Sequence, residues 1–93
     1  MKNFQFTNNE DFNRFELKIN DTTAIVEYIL TPQGVVFMTH TEIPNSLESD
    51  EVIPVLMEES LQEIKRKEHV VFPMCPVAQE YIKAHPEWNT LVE

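Results

Sequence analysis

The fold is decided by residues 53–72, IPVLMEESLQEIKRKEHVVF, in which a helical pattern is followed by a short apolar strand. The apolar residues of the first part recur at three- and four-residue spacing, which predicts a helix with one buried face. They are Ile53, Leu56, Met57, Leu61 and Ile64. Pro54 suits the first turn of this helix, and the cations at 65–67 suit its last turn. Residues 70–72 are continuously apolar, as in a strand that is buried on both faces.

Three strands are predicted before this helix. Residues 15–19 alternate apolar and charged side chains, and residues 24–30 and 35–43 are rich in β-branched and aromatic residues. Turn signals separate the three strands, so they are expected to form an antiparallel meander. The third strand, the helix and the strand at 70–72 then predict a parallel β-α-β unit with a right-handed connection.

A C-terminal helix completes the predicted order. It begins at Pro76 and runs to about residue 84, Pro86 stops it, and Trp88 and Leu91 are expected to fold back onto the core. The order is therefore β-β-β-α-β-α, an α/β fold of one domain over residues 14–93, because a chain of 93 residues suffices for one core but not for two. Residues 1–13 are polar apart from three phenylalanines. They form either a flexible lead-in or, if those rings find a surface, an edge strand.

The acidic composition restricts the partners. The formal net charge is −9, which makes nucleic acid and anionic membranes poor partners and a cationic amine an easier one. Solubility alone is the more common reason for such a charge. No apolar run reaches membrane-spanning length, the N-terminus lacks the apolar region of a signal peptide, and the lone Cys75 cannot form an internal disulfide. These features predict a cytoplasmic protein.

The residues that could carry chemistry lie at one predicted edge of the sheet. Ligands of β-α-β units sit beyond the carboxyl ends of the parallel strands, where residues 39–42 and 74–76 are expected to meet. Cys75 is either a nucleophile at a helix N-terminus or a small buried hydrophobe, and burial is the more common state. His40 is either a general base or the structural partner of a carboxylate, and Glu42 is either a base or a solvated charge.

The remaining candidates are less distinctive. Tyr81, in the last predicted helix, either donates a proton to a leaving thiolate or packs as an aromatic residue whose hydroxyl contacts solvent. His69 and His85 look like residues at the ends of elements. No spacing among the histidines, the cysteine and the acids predicts a metal site.

Several short motifs together resemble a known family. They are residues 38–44 (MTHTEIP), residues 72–78 (FPMCPVA), Tyr81 with Ile82, and residues 85–88 (HPEW). Over residues 15–92 the chain resembles the small, minimal GNAT-type N-acetyltransferases. The His-Thr-x-x-Pro motif alone has little specificity, but its combination with Pro-x-Cys-Pro at this separation is fairly specific.

This resemblance implies a GNAT-like fold in which the two parallel strands splay and the pantetheine arm of acetyl-coenzyme A enters between them. It implies that His40 and Cys75 match the family's active-site histidine and cysteine, and that Tyr81 matches a tyrosine that larger relatives use as a proton donor. The implied reaction is direct transfer of an acyl group to an amine. Amides of the third strand, at Thr41, would hold the oxyanion and the acyl end of the coenzyme.

The family's pyrophosphate loop is changed in this chain. The family has Arg/Gln-x-x-Gly-x-Gly/Ala before its helix. The matching positions here are Glu48, Ser49, Asp50, Glu51, Val52 and Ile53. An acid replaces the basic residue, and both glycine positions carry side chains that block close approach of the backbone. The acids suit a helix N-terminus but would repel phosphates, so weak or absent binding of acetyl-coenzyme A is expected.

The residues leave two functions open. The first is an acetyl-coenzyme A-dependent N-acetyltransferase, with His40 or Glu42 as the base and Cys75 near the acyl group. The second is a non-catalytic GNAT-like module that binds a protein partner and no longer binds coenzyme A, which the acidic loop favours. The sequence identifies neither the amine acceptor nor the protein partner.

Overall fold

In the computed structural model, which describes residues 3–93, a five-stranded sheet carries two helices. The elements are β1 (Phe4–Asn9), β2 (Arg14–Ile19), β3 (Thr22–Leu30), β4 (Val35–Glu42), α1 (Ser49–Arg66), β5 (Val70–Pro73), α2 (Pro76–Ala84) and a 3-10 helix (Pro86–Leu91). The strands lie in the sheet in the order of the chain. The first four are antiparallel, and β4 and β5 are parallel neighbours. The predicted α/β fold, a meander followed by a parallel β-α-β unit, is confirmed.

The first strand adds one element to the predicted order. β1 pairs antiparallel with β2, and the ring of Phe6 stacks on that of Phe15 with 5.9 Å between the centroids. Four strands rather than three therefore precede α1, because the N-terminal aromatic rings find a surface on the neighbouring strand. Phe4–Asn9 forms an edge strand, which was the second of the two alternatives predicted for this segment. Met1 and Lys2 lie outside the described residues.

Both helices pack on one face of the sheet. Alternate residues of the central strands point to that face, and the helices supply the facing apolar side chains. The side chains with no exposed surface include Leu17, Val26, Met38, Leu56, Met57, Leu61 and Val71. Burial of each such side chain stabilises the fold by about 1.5–3 kcal/mol.

The opposite face of the sheet stays open at its β3–β5 side. Ile29 and Phe72 are 58% and 42% exposed, although both are large and apolar. Phe37 lies between them, opposite Ile29 in the register and with its ring 5.3 Å from that of Phe72. In this half of the sheet the residues that point away from the helices therefore remain accessible.

The start of α1 differs from the prediction. The helix begins at Ser49, so Pro54 lies one and a half turns inside it rather than in its first turn. Positions predicted as a loop are helical because the carbonyl oxygen of Glu48 accepts the N–H groups of both Glu51 and Val52, at 3.0 Å each. Acids in the first turn also complement the helix dipole. Pro54 removes one backbone donor from the second turn.

The C-terminal residues close the core as predicted. Trp88 and Leu91, in the 3-10 helix, are 6% and 9% exposed. Val92 then bridges Val71, and the N–H of Glu93 donates to the carbonyl of Val71 at 2.8 Å, so the chain end lies along β5. Within residues 3–93 no helix is both long and apolar enough to cross a membrane.

Candidate functional site

The parallel pairing of β4 and β5 ends at Met38. β5 pairs with β4 only from Val35 to Met38, while β4 continues to Glu42. The carbonyl oxygen of Met38 accepts the N–H groups of Met74 at 2.9 Å and of Cys75 at 3.1 Å, which ends the ladder. Beyond this point β4 has no parallel partner strand among the described residues. We call the place between the unpaired end of β4 and the residues that follow β5 the gap, and Cys75 lies there just past the end of β5, as predicted.

Cys75 and Thr41 meet on the helix side of this gap. Their side chains share a hydrogen bond of 3.1 Å between Sγ and Oγ1. Cys75 is only 4% exposed and stands at the N-cap of α2. Thr41 lies opposite the buried Val26 in the β3–β4 register, so its side chain faces the helices. The structure thus joins two of the predicted site residues.

His40 and Glu42 lie on the other face. Neighbours along a strand point to opposite faces, so His40 and Glu42 face away from Thr41. Nε2 of His40 donates to Oε2 of Glu42 at 3.2 Å, and their side chains are 53% and 68% exposed. Glu27 lies opposite His40 on β3. His40 is therefore paired with Glu42. The sequence placed both of them at the same edge of the sheet as Cys75, but in the structure they lie on the opposite face from it.

An apolar groove lies along the helices, and its lining begins at Pro76, directly after Cys75. Its volume is about 400 Å³. It is lined by Ile53, Pro76, Val77, Glu80, Tyr81, Ala84 and His85. The groove thus runs between the start of α1 and one side of α2, and α2 begins directly after Cys75.

The hydroxyl of Tyr81 takes part in a hydrogen-bond network with two other helical residues. Its hydroxyl donates to Oε1 of Glu58 at 2.6 Å, and the same oxygen accepts Nε1 of Trp88 at 3.1 Å. Burial, and then the bond to the Glu58 carboxylate, raise the pKa of Tyr81 well above its ordinary value. Tyr81 also lines the groove, and its role as a proton donor stays a prediction.

The sequence did not single out Glu58 or His85 as part of the site. The ring of His85 stacks on that of Tyr81 with 4.0 Å between the centroids, and its Nδ1 donates to the Tyr81 carbonyl at 2.8 Å. The four-residue spacing of Tyr81 and His85 on one helix could have indicated this contact. No pattern in the sequence pairs Glu58 with Tyr81 and Trp88, which lie 23 and 30 positions further along the chain.

The predicted pyrophosphate positions lie in the first turns of α1. Glu48 is the N-cap residue, and its side chain makes no capping bond. Val52 is 2% exposed and belongs to the core, whereas Ile53 lines the groove. Ser49 and Asp50 are exposed beside Glu48. Because Glu51 and Val52 donate their N–H groups to the Glu48 carbonyl, neither amide is available to a phosphate. No group of three or more metal-ligating side chains occurs within residues 3–93.

Cys75 is expected to react slowly in the folded protein. Its thiol is buried and bonded to Thr41, although Phe72 and Met74 beside it in the sequence are exposed. Iodoacetamide in native buffer should leave it unmodified over a period in which the urea-unfolded protein reacts completely. Mass spectrometry of both samples measures this difference. Rapid native labelling, with an unchanged melting temperature for Cys75→Ser, would instead show an accessible thiol.

Comparison with known proteins fits this geometry. No curated protein matches the chain at a significant level. A family model matches residues 14–91, a span that starts with β2 and ends with the 3-10 helix and so includes the gap and the groove. The model is that of the GCN5-related N-acetyl-transferases, and the chain belongs to this family.

Proposed function

We propose that the protein transfers an acetyl group from acetyl-coenzyme A to an amine. The observation that carries this proposal is the position of the apolar groove, whose lining includes Pro76, the residue that follows Cys75 at the end of β5. Small-molecule sites are typically apolar concavities of about 300–1,000 Å³ with a few polar groups, and this groove fits that description. An acyl thioester would lie with its arm in the groove and its acyl end at the gap.

The donor would be held mainly by apolar contacts. Val77, Ala84 and the ring of Tyr81 would contact the arm. Thr41 and Cys75 would border the acyl end, since their side chains lie on the helix side of the gap. Acetyl-coenzyme A supplies an activated acetyl group, which the amine takes as an amide while the coenzyme thiol leaves.

The acceptor would approach from the open face of the sheet. His40 and Glu42 lie there, exposed and bonded to each other. Because Nε2 of His40 donates to Glu42, Nδ1 carries the lone pair that can accept the proton lost by the amine. Glu42 then orients His40 and stabilises its protonated form. The amine is thus deprotonated on one face while the donor is held on the other.

Transfer depends on His40 in this proposal. With acetyl-coenzyme A at millimolar concentration and a mixture of primary amines, release of free thiol should be detectable, and His40→Gln should slow it about 100-fold or more. His69→Gln is the matched control, because His69 precedes β5 at its opposite end and should leave the rate unchanged. No release of thiol with any amine, or equal rates for the two variants, would contradict the assignment.

A second candidate function is a non-catalytic module that binds a protein partner. The acids at the start of α1 and the amides occupied by the Glu48 carbonyl favour it, because both oppose phosphate binding. Calorimetric titration with acetyl-coenzyme A separates the two functions. We expect a dissociation constant weaker than about 100 μM. Complete absence of binding at millimolar concentration would favour the module.

A further inference from the structure

We propose that the groove recognises the pantetheine part of an acyl thioester and gains no affinity from nucleotide phosphates. Phosphate-free acyl thioesters, such as S-acetylpantetheine, would then bind at least as tightly as acetyl-coenzyme A. This inference rests on the proposed acyl transfer for the identity of the ligand, and it specifies the class of donor.

The lining of the groove supports an uncharged ligand. Five of its seven lining residues are apolar or aromatic, and the other two are Glu80 and His85. Nδ1 of His85 is already used by the Tyr81 carbonyl, and the imidazole ring is stacked on the Tyr81 ring. Among residues 3–93, no lysine or arginine lines the groove. An apolar arm with a few amide groups therefore fits the groove better than a polyanion does.

The surroundings of the groove oppose phosphate. At the start of α1, where Ile53 enters the groove, Glu48 and Asp50 are exposed. The chain has no lysine or arginine between Lys18 and Lys65. Lys83, on α2, is exposed but is not a lining residue. A phosphate at this end of the groove would meet carboxylates without a cation among the lining residues.

Part of the backbone at the start of α1 is already engaged in hydrogen bonds. A helix N-terminus binds phosphate through free N–H groups. Here the N–H groups of Glu51 and Val52 both donate to the Glu48 carbonyl, and Pro54 has none to donate. Glu51 and Ile53 also carry side chains at the two positions where the family's loop has small residues. The carboxylates and the engaged N–H groups of Glu51 and Val52 thus oppose phosphate binding at this end of the groove.

The experiment compares two donors on the intact protein. Dissociation constants of S-acetylpantetheine and acetyl-coenzyme A are measured by NMR titration at about 50 mM and about 500 mM salt. S-acetylpantetheine should bind as tightly as acetyl-coenzyme A or more tightly at low salt. High salt should strengthen binding of acetyl-coenzyme A alone, because it screens repulsion. The proposal is wrong if acetyl-coenzyme A binds about tenfold or more tightly, or if S-acetylpantetheine fails to bind at about 10 mM.

Three variants locate the effect. Glu48→Arg should tighten acetyl-coenzyme A about tenfold and leave S-acetylpantetheine unchanged. Glu59→Arg makes the same change of charge at an exposed position further along α1 and should alter neither constant. Ala84→Trp should weaken both donors, because it fills the groove from an exposed position that can accept a larger side chain. Equal responses to Glu48→Arg and Glu59→Arg would overturn the assignment of the phosphate end.

The outcomes separate donor choice from catalysis. Binding of S-acetylpantetheine without transfer to any amine would support the donor class and contradict the proposed transferase. Efficient transfer from tightly bound acetyl-coenzyme A would support the transferase and overturn the donor class. The two proposals can therefore fail independently.

Discussion

Glu58→Leu should lower the free energy of unfolding by about 3 kcal/mol, because it leaves two buried donors without an acceptor. The hydroxyl of Tyr81 and Nε1 of Trp88 both donate to Oε1 of Glu58. Tyr81 and Trp88 are 9% and 6% exposed, so solvent replaces the lost acceptor poorly. Glu58→Gln keeps an acceptor oxygen and should cost about 1 kcal/mol. Urea unfolding of the three proteins measures these differences.

The same network should respond to acid. Hydrogen bonds from Tyr81, and then from Trp88 and Gln62, lower the pKa of Glu58 below its ordinary value of 4.5 although partial burial opposes them. Because the folded pKa is lowered, the stabilisation is present above the ordinary value and is lost as the pH falls through the folded value. Glu59→Gln is the matched control at an exposed neighbouring position. Equal stability losses for Glu59→Gln and Glu58→Leu would contradict the assigned role of Glu58.

Leu17→Ala should destabilise the protein by about 2–5 kcal/mol, because it opens a cavity in the core. Leu17 lies on β2 under the helices and has no exposed surface. Leu30→Ala is the matched control: it makes the same change on β3, at a residue that is 43% exposed. It should cost about 1 kcal/mol or less. Chemical unfolding of both variants gives the comparison, and equal costs would show that the helices do not cover the sheet as described.

The sequence by itself determined most of the fold. The apolar spacing of α1, the turns between β2, β3 and β4, and the apolar run in β5 are local patterns with a period of 3.6 or 2. They predicted the individual strands and helices, and the rules for short turns and for right-handed β-α-β connections then gave the meander, the parallel pair and the position of Cys75. The predicted start of α1 was wrong by several residues. Pro54 was expected to lie in the first turn, but the helix begins at Ser49.

The tertiary structure alone decided how the site is divided. His40 and Thr41 are adjacent in sequence, yet the pleat of β4 sends one to Glu42 on the open face and the other to Cys75 on the helix side. The sequence indicated Tyr81 as a candidate site residue. It did not indicate the hydrogen-bond partner of Tyr81, because Glu58 lies 23 residues away on another helix. Long-range hydrogen bonds and the faces of a sheet depend on how elements pack, which no local pattern encodes. The acidic character of the helix start was therefore predictable, whereas the groove beside it was not.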